Sequence, residues 1–312
     1  TSCPKGPGRA IMLDKLLHTH DSFRTFILDR TAYYLDGNIL KPLTAKYRLS
    51  YAELVGPETV DFFVSHFWGT EFTHFCSSLQ KHAETVAKQG GASAISQGRV
   101  SITESEMGRH HQVAYWICFC SNNQWRLHEE VCDWRQSSFY KALWSDTCRG
   151  TCMVLDKSAT PLTRIWCLFE VLQTFKLERD DTKRGIFGGL KFCTERGVLG
   201  VGQESTEETC YDVALALGVR LANLDVDYAT ASVKEDEDMI KSLMKEEGGP
   251  KVMNRFIRQR AAHALDGVSG DFVEKIGDVV NQLERDHEMA NSFSDQHTHA
   301  SPPTPTTGFT NV

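Results

Sequence analysis

The sequence predicts an α/β fold: a doubly wound parallel sheet of about five strands, with an N-terminal lead-in and a C-terminal helical extension. Three observations carry that reading. Short apolar, β-rich runs recur at Val60–Ser65, Val113–Cys120 and Thr151–Leu155. Their apolar character is nearly unbroken, as in strands buried on both faces. Segments with apolar residues at helical spacing separate them, and strand–helix alternation marks a parallel sheet.

Residues 1–59 form the lead-in. Thr1–Arg9 is rich in Pro and Gly. Leu13, Leu16, Leu17, Phe23, Phe26 and Ile27 predict helix within Ile11–Leu35. Asp36-Gly37 reads as a turn, and "YRLSYAEL" as extended or irregular chain. The α/β domain is expected over 60–228. Its first strand lies between Pro57 and Gly69. Thr70 is a candidate N-cap and Glu71 a first-turn acid for the helix marked by Phe72, Phe75, Leu79, Ala83 and Val86. That helix should end at Gly90-Gly91, before an exposed polar insertion over Ala92–Gln112.

Val113–Cys120 is the second strand. Ser137 or Ser138 caps a short helix, "FYKALW", and Thr151–Leu155 is the third strand. Pro161, tolerated in a first turn, opens the helix "PLTRIWCLFEVLQTF". Leu190–Cys193 supplies a fourth strand, Thr206–Leu217 a helix and Val219–Val226 a fifth strand. Residues 229–290 form the helical extension, with helices over Val233–Glu246, Val252–Leu265 and Phe272–Arg285. Residues 291–312, ending "HTHASPPTPTTGFTNV", are a disordered tail by composition. In such a sheet the right-handed crossovers gather the strands' carboxyl ends, and the ligand, on one edge.

Composition narrows the function classes. The 312 residues are 41% hydrophobic and 24% charged, an ordinary globular balance. Net charge is -7 with both signs interspersed, so there is no basic run to bind nucleic acid. No apolar stretch is long enough for membrane insertion. The N-terminus lacks the apolar core of a signal peptide. Most of the ten cysteines sit in apolar runs, among them Cys118, Cys120, Cys152 and Cys167. They read as reduced structural thiols of a cytoplasmic protein. With no CxxC, no HExxH and no zinc-like spacing, no metal is expected.

One helix carries an acid among its apolar residues. On a wheel of about 100° per residue, Ile165, Leu168, Phe169, Leu172 and Phe175 gather into one stripe. Trp166 and Glu170, four apart, stack on its flank. Glu170 therefore stands at the rim of the core, one turn from an indole. It is either a partly exposed acid covered by a Trp, or a carboxylate held beside an aromatic wall in a cleft, where its pKa can shift.

Four stretches together resemble a TIR (Toll/interleukin-1 receptor) domain, closest to the plant and protist types. "DFFVSHFWGTEFTHFCSSLQKHA" looks like the family's first strand, Ser-containing loop and first helix. "RLHEEV" looks like the loop after its second strand, "SSFYKALWSD" like its next helix. "GTCMVLDKSATPLTRIWCLFEVLQTF" looks like its third strand and Trp-Cys-Leu-x-Glu-Leu helix. The resemblance covers roughly Val60–Phe175. The chain departs from the family in its long insertion over Gly90–Gln112 and in Leu127, where the family has Gly. His66-Phe67-Trp68-Gly69 stands in place of Phe-Arg-Gly, which removes an Arg that can meet substrate phosphate.

The resemblance implies a flavodoxin-like sheet and cleavage of NAD⁺, as substrate rather than cofactor, at the nicotinamide–ribose bond. Glu170 takes the place of the catalytic carboxylate. A fixed carboxylate can stabilise the oxocarbenium-like ribose of such a reaction, as in glycosidases. Trp166 or Trp68 is placed to stack on nicotinamide. Ser65 and His66 end the first strand, at the ligand-bearing edge, and His66 is either a substrate contact or a polar strand end. Asp156 and Ser158 follow the third strand toward the same cleft. Arg126, Glu129 and Glu130 fall in the assembly loop, so the expected partners are NAD⁺ and further copies of the chain. A non-catalytic signalling module, acting through homotypic contacts alone, is the competing class. A plain nucleotide binder is disfavoured, because "SHFWGT" offers one Gly and no phosphate loop.

Overall fold

The apolar run after Pro57 becomes the middle of a sheet. A computed structural model describes residues 3–96, 112–131, 134–199, 208–246 and 248–264. Its strands are β1 (Ile11–Met12), β2 (Phe62–His66), β3 (Ala114–Ile117), β4 (Thr151–Val154), β5 (Leu190–Thr194) and β6 (Gly197–Val198). They lie in the order β1-β3-β2-β4-β5-β6. β2 is parallel to both β3 and β4, with Val64 opposite Ile117 and Cys152. Every residue of these three strands is buried. The three apolar runs are thus adjacent central strands, as expected.

The sheet is mixed, not parallel throughout. β1 runs antiparallel to β3, and β6 antiparallel to β5. β6 follows β5 after only Glu195 and Arg196, and so short a connection permits no crossover.

The helices used below are α1 (Leu13–Ser22), α2 (Phe72–Ser96), α3 (Ser138–Leu143), α4 (Ile165–Glu178), α5 (Glu208–Ala222), α6 (Lys234–Glu246) and α7 (Pro250–Ala264). Strand pleating decides which helix meets which residue. Phe62 and Val64 join the core cluster that includes Phe72, Phe75 and Leu79 of α2. Phe63 stacks on Trp116 at 5.0 Å, and Ser65 meets Glu170 of α4 on the other face. On α4, Ile165, Leu168, Phe169, Leu172 and Phe175 are all buried, which is the predicted stripe. Full burial of such a side chain contributes about 1.5–3 kcal/mol.

Several local expectations are corrected. α2 runs through Gly90-Gly91 to Ser96. Thr70 does not cap it: its Oγ1 is buried without a hydrogen-bond partner, and the Phe72 N–H donates to the Arg30 carbonyl. The second strand stops at Ile117, because Cys118–Ser121 forms a helical turn and the Ile117 N–H donates to Ser121 Oγ. Val219–Val226 is no strand. α5 continues to Ala222, burying Val213, Leu217 and Leu221 at helical spacing. Ser137 does cap α3, accepting from the Tyr140 N–H at 3.2 Å.

The flanking regions share the core. The lead-in is broken into α1 and shorter turns, with a π-helical stretch at Asp36–Leu40 in place of a simple turn. "YRLSYAEL" contains the helix Tyr51–Val55, started by a Ser50/Glu53 capping box. Leu13, Leu16, Ile27 and Leu35 pack in the same cluster as α2. α6 and α7 pack on α4, burying Ile240, Met244 and Ile257. The insertion beyond Ser96, the third extension helix and the tail lie outside the described residues.

Candidate functional site

Parallel pairing brings the ends of β2 and β3 together on one edge, and α4 passes beneath them. A cleft of about 340 Å³ opens there. His66, Trp68, Cys118 and Glu170 line it, with Trp116 and Trp166 adding aromatic wall. α4 offers Glu170 to the cleft because the residue sits on the flank of its buried stripe. Ser65 Oγ–H donates to Glu170 Oε2 at 2.6 Å. Burial pushes the Glu170 carboxyl up to about 8, and the Ser65 hydrogen bond partly opposes the rise. At neutral pH the unliganded acid is therefore mainly protonated.

His66 lies on the other face of β2, against Phe75 and Phe119. Burial lowers its pKa to about 4, with the Val64 backbone opposing, so it is neutral at pH 7. The loop after β2 brings Trp68 over Cys118, and its indole N–H donates to the Cys118 thiol at 2.9 Å. Burial and then the Glu170 charge push that thiol up to about 12, so it stays protonated. A Cβ at Gly69 would meet the Phe67 ring, which would have to move. The Trp166 indole N–H donates to Asp236 Oδ2 at 3.1 Å, and Phe139 packs edge-on against the ring.

Glu170, Ser65, His66, Trp68 and Trp166 are thus brought together. Asp156 and Ser158 are not among the lining residues. Asp156 Oδ1 instead accepts from the Ser158 and Thr160 N–H groups, closing the loop after β4. The Ser158 carbonyl accepts from Arg220. Sequence reading missed Cys118, Arg164, Tyr33, Ser232 and Asp236 at the cleft. Arg164 stood in a quoted motif, two residues before Trp166. Cys118 stood in the second apolar run, but Tyr33, Ser232 and Asp236 had no signal along the chain, because Tyr33 comes from the lead-in and Ser232 and Asp236 from the start of the extension.

The charged loop is only partly a surface. Arg126 and Glu129 are exposed, as are Trp125 and Leu127. Glu130 is buried, a correction to its reading as an exposed assembly residue. Its Oε1 accepts from Arg9 Nη1 at 2.7 Å, and Glu53 lies 3.7 Å from the same guanidinium. Glu130→Gln should therefore cost about 1–2 kcal/mol, because a charge-assisted bond becomes a neutral one while Glu53 still faces Arg9. Calorimetry should show a melting point lower by a few degrees. A melting point equal to the parent's would mean the pair contributes nothing.

One further cluster bears on metal binding. Ligand atoms of His82, Cys152 and Cys193 lie within 4.8 Å of one another, all in buried residues. Spacing along the chain could not reveal it, since α2, β4 and β5 supply one residue each. His82 Nδ1 is within 2.8 Å of the Tyr115 hydroxyl. Burial first, then the charges of Lys191 and Arg149, lower the His82 pKa to about 3. All three side chains are part of the buried interior.

Eight cysteines among the described residues are free, and no helix there is long and apolar enough to cross a membrane. Compared with family models, with curated proteins and with solved structures, the chain matches none.

Proposed function

We propose that this chain is a TIR-like NAD⁺ nucleosidase that splits the nicotinamide–ribose bond, with Glu170 as the catalytic carboxylate. The observation that carries the reading is the Ser65–Glu170 pair, 2.6 Å apart at the carboxyl edge of the sheet. It sits in a cleft with indole walls and a volume suited to a small ligand. Nicotinamide leaves as a neutral ring and needs no proton from a strong acid. The C–N electron pair leaves with nicotinamide and positive charge grows on the ribose carbon, where a carboxylate held by Ser65 hydrogen-bonds the sugar hydroxyls and stabilises the cation; water then adds to that carbon and releases a proton. The indoles of Trp68 and Trp166 offer stacking surface for the pyridine ring.

A second reading, a signalling module that only assembles with its own kind, is favoured by the exposed Trp125–Glu129 segment. Incubation with NAD⁺ and chromatography for nicotinamide separates the two. Catalysis predicts nicotinamide release, rising per mole of protein as concentration rises if assembly completes the site. No release at any concentration leaves the assembly reading.

A further inference from the structure

The loop after β2 carries no cation for a nucleotide's phosphates, but Arg164, packed beside that loop, supplies one. Arg164 immediately precedes α4 and lines the cleft. Its Nη1 donates to Thr230 Oγ1 at 3.0 Å and its Nη2 to Ser232 Oγ at 2.9 Å. The guanidinium lies 5.3 Å from the centre of the Phe67 ring. Among the described residues its partners are these neutral hydroxyls and this ring, not a carboxylate. The side chain is therefore held in place by neutral groups, with no carboxylate paired to it among the described residues. A guanidinium carries five N–H donors, so donors remain for a ligand. Tyr33 hydrogen-bonds the same Ser232 hydroxyl at 2.9 Å, which fixes the anchor from the other side.

The geometry points to Arg164 as the residue that receives the diphosphate of a nucleotide ligand whose ribose lies at Glu170. This assignment rests on the cleavage reading for the position of the ribose. Arg164 and Glu170 line the same cleft, six residues and so about 9 Å apart along a helix axis. A sugar on the carboxylate and its 5′-phosphates at the guanidinium can then be bound together. A planar fork matches phosphate oxygens bidentately, which a lysine cannot do.

ADP-ribose binding, followed by calorimetry on the full chain, tests this. Arg164→Met should weaken ADP-ribose about tenfold to a hundredfold. Binding of nicotinamide riboside, which has no diphosphate, should not change. Arg164→Lys should fall between parent and Met variant. Parental ADP-ribose affinity in Arg164→Met, or no ADP-ribose binding by the parent, overturns the assignment. If the Met variant fails to fold, Arg164→Lys carries the test, and parental affinity there is equally fatal. Arg164-dependent ADP-ribose binding without nicotinamide release keeps this assignment and removes the cleavage reading. Release of nicotinamide with ADP-ribose affinity indifferent to Arg164 does the reverse.

Discussion

Glu170→Gln is expected to lower NAD⁺ turnover about a hundredfold or more, the usual cost of one well-placed electrostatic group, and to stabilise the fold at neutral pH. The activity loss follows from charge. Gln keeps the volume and helix propensity of Glu but brings no negative charge to the developing ribosyl cation. Binding of intact NAD⁺ should suffer less than turnover. The stability gain follows from linkage. In the unfolded chain the carboxyl titrates near 4.5, and in the fold near 8. Between those values the folded state holds a proton that the unfolded state releases, so stability falls as pH rises through that window. At pH 7, about 2.5 pH units above the unfolded value of 4.5, the cost reaches roughly 3 kcal/mol, a ceiling that water in the open cleft reduces. Gln does not titrate and escapes this cost, while its amide can still meet Ser65. The melting-point gap between variant and parent should be small near pH 4.5 and widen to pH 8. A variant that cleaves at the parent's rate makes Glu170 a rim residue. A gap that narrows as pH rises would contradict its burial in the protonated form.

The sequence set Glu170 opposite the end of the first strand, with Ser65 or His66 as its neighbour, because both elements carry strong local signals. Ser65 ends an apolar run with no other reading than a buried strand. Glu170 flanks a stripe whose helical period is plain. The sheet's centre was legible for the same reason. What escaped was decided by distance along the chain or by competition between local signals. Arg9 and Glu130 are 121 residues apart, so nothing near Glu130 announces that it is buried. Val219–Val226 alternates briefly like a strand, but Leu217 and Leu221 continue the helical face of α5, and packing decides between the two periods. Thr70 precedes a helix as a cap should, yet the first turn is satisfied by the Arg30 carbonyl. The Ser50/Glu53 capping box was a visible signal for the Tyr51–Val55 helix. The hydroxyls that anchor Arg164, from Thr230 and Ser232, come from beyond α5.

The pH profile of cleavage should carry the signature of the same pair. The pKa values of His66, Glu170 and Cys118 in the cleft are well separated, at about 4, about 8 and about 12. Of these three, Glu170 alone changes charge between pH 6 and 9. If the carboxylate form works, kcat/KM should rise about tenfold per pH unit below the inflection and level off above it, since this ratio reports the free enzyme. Once NAD⁺ is bound, its pyridinium charge favours the carboxylate. The inflection in kcat should therefore lie at lower pH than that in kcat/KM. Ser65 donates a hydrogen bond that lowers the Glu170 pKa. Ser65→Ala should move the kcat/KM inflection upward, costing roughly threefold to tenfold at pH 7, as loss of one hydrogen bond of about 1 kcal/mol or slightly more implies. The deficit should shrink above the shifted inflection, where both proteins are ionised. A residue that merely filled space would lower the rate equally at every pH. A flat parental profile, or a Ser65→Ala inflection that moves downward, would show that the Ser65 hydroxyl does not govern the ionisation on which cleavage depends.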